Sequence, residues 1–139
     1  ELLIQTSNQV LARYLPLYSQ GKIQPYPQDL TKTVSYSRKL SKKDGLIDWT
    51  KPADQLAREI RAFYIWPKSF ARIGKLDLII RQAEESGKSG RPGDFSASKD
   101  QLTVYCGKGS LSIMRVQPPN KKEMDISAFL AGYKNQLTE

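Results

Sequence analysis

The sequence predicts a mainly β domain with flanking helices: a small, partly open barrel, preceded by a helix and a long basic linker and closed by a C-terminal helix. Three observations predict it. Short apolar runs of period two lie close together between Phe70 and Val116. Helix-spaced apolar residues stand on both sides of that region, and a lysine-rich stretch containing proline, serine and threonine follows the first of them. At 139 residues the chain can bury a real core without disulfides.

Residues 2–20 place Leu3, Val10, Leu11, Tyr14, Leu15 and Tyr18 at near-helical spacing, with Gly21 as terminator. Pro16 lacks a backbone donor, which predicts a bend or interruption there. A lone helix cannot bury its apolar face, so this segment is expected to belong with an upstream domain, its face covered by the barrel or by a second copy. The start at Glu1 rather than methionine adds the expectation of a missing upstream part.

Residues 24–50 contain Pro25 and Pro27, several serines and threonines, and Arg38, Lys39, Lys42 and Lys43 within six positions. This is the composition of an extended linker. Leu46, Ile47 and Trp49 then mark the start of the core. Thr50 is the expected N-cap of a helix with Pro52 in its first turn, and Ala53, Leu56, Ile60 and Phe63 form its apolar face. Arg58 and Arg61 point away from that face.

After Trp66-Pro67 the period becomes two. Phe70 to Ile73, a turn at Gly74-Lys75 and Leu76 to Ala83 predict a hairpin, and residues 84–93 a flexible loop. Leu102 to Cys106, Gly107-Lys108-Gly109 and Leu111 to Val116 predict a second hairpin. Asp125 or Ser127 is the expected cap of a final helix carrying Phe129, Leu130, Tyr133 and Leu137.

Composition excludes several chemistries. The chain has no histidine, so it cannot assemble a Cys-His or Ser-His-Asp site or a histidine-based zinc site. Its single cysteine, Cys106, lies in an alternating apolar run and is expected to be a small buried hydrophobe in an intracellular or redox-indifferent protein. No apolar run approaches the about 20 residues that span a bilayer, which predicts no membrane association. Gly87-Lys88-Ser89 resembles the end of a phosphate-binding loop, but Gln82 stands where that motif needs glycine, and the predicted context is strand then loop. Asp44, Asp48, Asp54 and Glu59 share no face suited to paired-carboxylate chemistry, and Asp54 with Arg58 reads as a solvated i,i+4 pair.

The charge is clustered. The formal net charge is +8, and residues 31–75 hold eleven lysines and arginines against four acids, a local +7. Such a segment is the electrostatic footprint of a polyanion partner, nucleic acid above all. Lysines separated by small and hydroxyl residues can follow phosphates without reading bases. Lys121 and Lys122 form a second basic loop after Pro118-Pro119-Asn120, and Arg72, Lys75, Arg81 and Lys108 are placed to join the two. Trp49 and Trp66 offer faces on which unpaired bases stack. Each is flanked by apolar neighbours, however, so core anchoring is the expectation.

The order Pro27-Gln28-Asp29, Lys39-Leu40-Ser41-Lys42, Ile47-Asp48-Trp49, Arg61-Ala62-Phe63, Trp66-Pro67 and Gln117-Pro118-Pro119-Asn120-Lys121-Lys122-Glu123-Met124 resembles the C-terminal part of methionyl-tRNA formyltransferases. The chain departs from that family at Tyr64-Ile65, where asparagine and proline usually precede the Trp-Pro pair. The resemblance implies that residues 1–30 end an upstream catalytic domain, 31–45 are a basic linker and 46–139 form an OB-fold-like, tRNA-binding domain. It implies a parent enzyme that moves a formyl group from 10-formyltetrahydrofolate to the methionine of initiator Met-tRNA through an Asn-His-Asp site on a Rossmann-like catalytic domain. This chain would then hold no cofactor or catalytic residue of its own. Its partners would be initiator Met-tRNA and its own catalytic domain, in a monomeric parent of the bacterial cytoplasm or an organellar matrix, with residues 2–20 a route to self-association of the fragment. The nucleic-acid contacts implied are Lys39 and Lys42, with Arg38 and Lys43 alongside, and Lys121 and Lys122. The alternative is a bracing module of a sugar-nucleotide or other formyltetrahydrofolate-dependent formyltransferase, without tRNA binding.

Overall fold

The computed structural model describes residues 2–138, in two compact units, Glu1–Ser37 and Arg38–Glu139. In the first, helix α1 (Leu2–Ser19) runs through Pro16 uninterrupted and buries none of its side chains. The proline lies in the last turn, where its own carbonyl still accepts from Gln20 N–H at 3.1 Å and from Ser19 Oγ at 2.9 Å. Gly21, at φ +70°, donates to the Tyr18 carbonyl, and Lys22 N–H reaches back to Leu17, which closes the helix end.

The second unit is a curled half-barrel of six antiparallel strands. They are β1 (Ser69–Ile73), β2 (Leu76–Ser86), β3 (Phe95–Ala97), β4 (Leu102–Tyr105), β5 (Ser110–Gln117) and β6 (Met124–Asp125). The order is β1-β2-β5-β4-β3, with β6 paired to β5. Both expected hairpins are present. Residues 84–86, expected in a loop, instead continue β2 because the start of β5 needs a partner: Glu84, Glu85 and Ser86 pair with Ser112, Leu111 and Ser110. Ser110 Oγ fastens this end by donating to the Ser86 carbonyl at 3.0 Å.

Helix α2 (Ala53–Ala62) seals one side of the core with Ala53, Leu56, Ala57 and Ile60, all buried. Pro52, not Thr50, occupies its N-cap position. The Thr50 hydroxyl is taken by Asp48, donating to Oδ1 at 2.7 Å, while Ala53 N–H donates to the Lys108 carbonyl at 2.9 Å. The β4–β5 turn therefore satisfies a donor that a side-chain cap would have served. Helix α3 (Ile126–Thr138) adds Phe129, Leu130 and Leu137, with Tyr133 stacked on Phe129 at 5.1 Å between centroids. Asp125 directly precedes α3, but its carboxylate accepts from Arg115 at 2.6 Å. Cys106 is buried as expected, and burial pushes its thiol up to about 11.

The β2–β5 register shifts at two adjacent points. Between Ile80 and Gln82, β2 advances two residues while β5 advances one, so Arg81 is the extra residue of a bulge; Met114 is the compensating extra residue on β5. Leu78 and Ile80 face the core before the bulge and Ala83 after it, which restores the inward face.

The basic stretch is anchored at its C-terminal end. Ile47 N–H donates to the Phe70 carbonyl at 2.9 Å, and Gly45 is buried so closely that a Cβ there would overlap the Lys68 carbonyl. Ile47 is buried, whereas Leu46, also expected to enter the core, is exposed because consecutive residues of an extended segment face opposite ways. Gly45→Ala should therefore lower unfolding stability by about 1–3 kcal/mol in chemical denaturation. Gly87→Ala, with open space around the new methyl, should leave it unchanged.

Candidate nucleic-acid interface

Three of the four acids in the basic segment are taken up locally as ion-pair partners. Asp44 is the best held: Arg38 makes a two-pronged contact with it, Nη1 donating to Oδ2 at 2.8 Å and Nη2 to Oδ1. Ser41 N–H and Oγ donate to the same carboxylate at 2.6 and 3.0 Å. These bonds shape the short 3-10 turn Lys42–Gly45. Glu59 accepts from Lys51 Nζ at 2.9 Å, and Asp54 from Arg58 at 2.9 Å. Arg72, on β1, pairs with Asp77 on β2 at 2.9 Å.

What remains is a set of lysines. Lys39, Lys42, Lys43, Lys68 and Lys75 make no ion pair among the described residues. Lys121 and Lys122, in the loop after β5, make none either. That loop is held by Asn120 at φ +59°, by Lys121 N–H donating to the Pro118 carbonyl at 3.2 Å, and by Gln117 Nε2 donating to the Lys121 carbonyl at 3.0 Å. An asparagine tolerates this left-handed turn, which leaves both lysine side chains exposed.

The fold brings the two basic segments together. A surface hollow of about 770 Å³ is lined by Lys42 from the linker, by Leu46, Trp66, Pro67 and Lys68, and by Gln117 and Pro119 from the second loop. Arg72 and Asp77 stand on the same wall. Of the predicted lysines Lys42 alone lines it; Lys39, Lys43, Lys121 and Lys122 lie outside its lining, as do Lys75 at the β1–β2 turn and Lys108 at the β4–β5 turn.

Arg81 occupies a different place. The bulge turns it toward a second hollow shared with Arg61, Tyr64, Arg115 and Glu123. Its Nη1 donates to the Tyr64 carbonyl at 2.7 Å, its guanidinium lies 3.8 Å from the Tyr64 ring centroid, and its Nε donates to Glu123 at 3.1 Å. Arg115 donates to Glu123 at 2.6 Å, and these arginines hold the Glu123 carboxyl below its ordinary value. Arg81 and Arg38 are thus charges with acidic partners already in place.

One expectation is corrected. Trp49 is half-buried against the core, but Trp66 is 55% exposed. Pro67 behind it is buried, so the proline takes the inward position and the indole lies outside. Lys68 is the lysine that sequence reading left out; only its place after the Trp-Pro pair hinted at a fixed position.

The Asp44 cluster predicts a pH response. Arg38, with the Ser41 backbone, depresses the Asp44 carboxyl far below its ordinary value of 3.8. A group depressed in the folded state contributes stability that is full above the unfolded value and is lost as pH falls through the folded one. The stability difference between the wild-type chain and Asp44→Asn should be constant above pH 5 and shrink progressively below about pH 4, as read by denaturation at stepped pH.

Residues 39–134 match the family of the formyl transferase C-terminal domain. The chain is 39% identical over 127 residues to a methionyl-tRNA formyltransferase of Myxococcus xanthus, covering 91% of this chain and 40% of that protein. It is 37% identical over 139 residues to the methionyl-tRNA formyltransferase of Streptococcus sanguinis, covering 99% and 44%. The chain thus spans less than half the length of these relatives. Among solved structures, a HypX variant from Aquifex aeolicus superposes with a TM-score of 0.65 at 15% identity, over 94% of this chain and 24% of that one. HypX in complex with tetrahydrofolic acid superposes equally well, and at this identity the likeness concerns the fold alone. With the family match running from the linker's Lys39 into α3, the chain belongs to the formyl transferase C-terminal domain family.

Proposed function

We propose that this chain is the RNA-holding part of a methionyl-tRNA formyltransferase, orienting initiator Met-tRNA for N-formylation by a catalytic domain that uses 10-formyltetrahydrofolate. Residues 1–30 would end that catalytic domain, 31–45 link, and 46–139 hold the tRNA. One observation supports the reading: the linker, through Lys42, and the loop that bears Lys121 and Lys122, through Gln117 and Pro119, line one hollow, and none of these lysines makes an ion pair among the described residues. Lysine ammonium groups on flexible stems suit phosphate contact without base selection. Without histidine, the chain itself supplies positioning and not the formyl-transfer step. The names of the bacterial relatives support the same parent reaction and a cytoplasmic setting.

Binding would be mainly electrostatic. With about four phosphates neutralised, log affinity should fall with log salt at a slope of about −3 to −4. Replacing Lys39, Lys42 and Lys43 together by alanine should weaken tRNA binding in a filter or shift assay and flatten that slope by about one per lysine, with unchanged thermal unfolding. Unchanged affinity at low salt would defeat the linker's role. The matched family is named for formyl transferases as a whole, which favours as a second reading a bracing module of another formyltetrahydrofolate-dependent enzyme. That reading expects no retention of tRNA by the chain at any salt.

A further inference from the structure

The hollow between the linker and the 117–122 loop has a floor unlike the rest of the basic surface. Leu46, Pro67, Phe70, Leu78 and Ile79 line it, and Trp66 stands at its wall more than half exposed. An indole in water on an otherwise lysine-rich face forfeits the burial that a tryptophan normally gains. Its neighbours on the rim are Lys42 and Lys68, together with the Arg72–Asp77 pair, so the rim keeps a net charge of about +2 at neutral pH. An apolar, aromatic floor under a cationic rim complements one chemical unit well: a nucleotide whose base leaves the stack and whose phosphate stays outside.

Lys68 supplies the independent observation. Its φ is +71°, a left-handed conformation that glycine or asparagine occupies at little cost and lysine does not. The backbone there is fixed from two sides, by Lys68 N–H donating to the Phe63 carbonyl at 2.9 Å and by Gly45 packed against the Lys68 carbonyl. A strained residue held by its surroundings, whose side chain lies on the rim of a hollow, marks a position where the side chain has a use. A glycine at 68 would relieve the strain and remove the ammonium group.

We infer that this hollow is a subsite for one unpaired nucleotide of the bound RNA, with its base stacked on Trp66 and its phosphate held by Lys68 and Lys42. The inference deepens the RNA-holding role and rests on it. The lysines alone would grip any RNA backbone, whereas the tryptophan adds affinity only where a base is free to unstack. Stacking on one aromatic side chain changes affinity by about tenfold.

The test uses the 139-residue chain and two RNA probes of equal length, a single-stranded oligoadenylate and a blunt duplex, with dissociation constants measured at fixed salt. Trp66→Ala should weaken the single strand about tenfold, leave the duplex within about twofold and leave the salt slope unchanged, while Trp66→Phe restores most of the loss. Lys68→Gly should weaken the single strand without lowering thermal stability. If Trp66→Ala leaves both probes unaffected while the linker-lysine triple variant weakens both, the hollow is no base subsite although the RNA grip stands. If the wild-type chain binds neither probe, both readings fall together. A tryptophan whose loss changes thermal stability and weakens both probes equally is a structural or protein-facing residue, which also overturns the subsite.

Discussion

The approach of Gly45 to the Lys68 carbonyl is the constraint on which the arrangement of this surface depends. The linker lysines belong to a segment whose composition alone would leave it free. What fixes their place is a few atoms of backbone: the missing side chain at 45, the Ile47 to Phe70 hydrogen bond beside it, and the Asp44 carboxylate that gathers Arg38 and Ser41 just before it. Backbone contacts of this kind cost little entropy beyond what the strand already lost, and they transmit the geometry of β1 to the linker. The same peptide that Gly45 touches carries the strained lysine and adjoins Trp66-Pro67. The end of the linker, the buried Pro67 and the exposed indole therefore adjoin one another around a single peptide.

Most of the architecture was legible because it rests on periodicity and turn chemistry. Alternating residues from Phe70 to Ile80 and from Leu102 to Val116 predicted the two hairpins, and the spacing of Leu56, Ile60, Phe129 and Leu130 predicted the helical faces that close the core. The exceptions have a common cause. Residues 84–86 are polar and lie next to a glycine-rich stretch, so no local signal shows that Ser110 to Ser112 need them as partners. Thr50 has the chemistry of a cap, but a turn far along the chain took the helix's donor and Asp48 took the hydroxyl. In both, a hydrogen bond from a distant part of the chain, at Ser110–Ser112 or at Lys108, overrides the local preference.

The candidate surface was legible in part. Clustered lysine could be counted, but pairing could not, and pairing decides which cations are available. Arg38 and Arg81 look alike in sequence to Lys42 and Lys121, and only coordinates show that Asp44 and Glu123 hold the first two. Trp66 failed the expectation of core anchoring for a related reason. Apolar neighbours on both sides suggest burial, yet Ile65 is also exposed and it is Pro67 that turns inward.

The division between arginine and lysine explains why a domain of this size can be strongly basic and still have a specific surface. Of the seven ion pairs among the described residues, six use arginine and one uses a lysine, Lys51. The sequence holds fourteen lysines and eight arginines. Guanidinium is planar and meets a carboxylate with two donors at once, so it serves where a fixed internal contact is needed, as at Arg38 on Asp44 or at Arg81 and Arg115 on Glu123. Ammonium is a mobile point charge that loses more by being fixed. Five of the six acids in these pairs are held by arginine, and most of the cations outside them are lysines on flexible stems. That sorting turns a net charge into a surface: the arginines hold the hollows in shape, and the lysines around them carry the field.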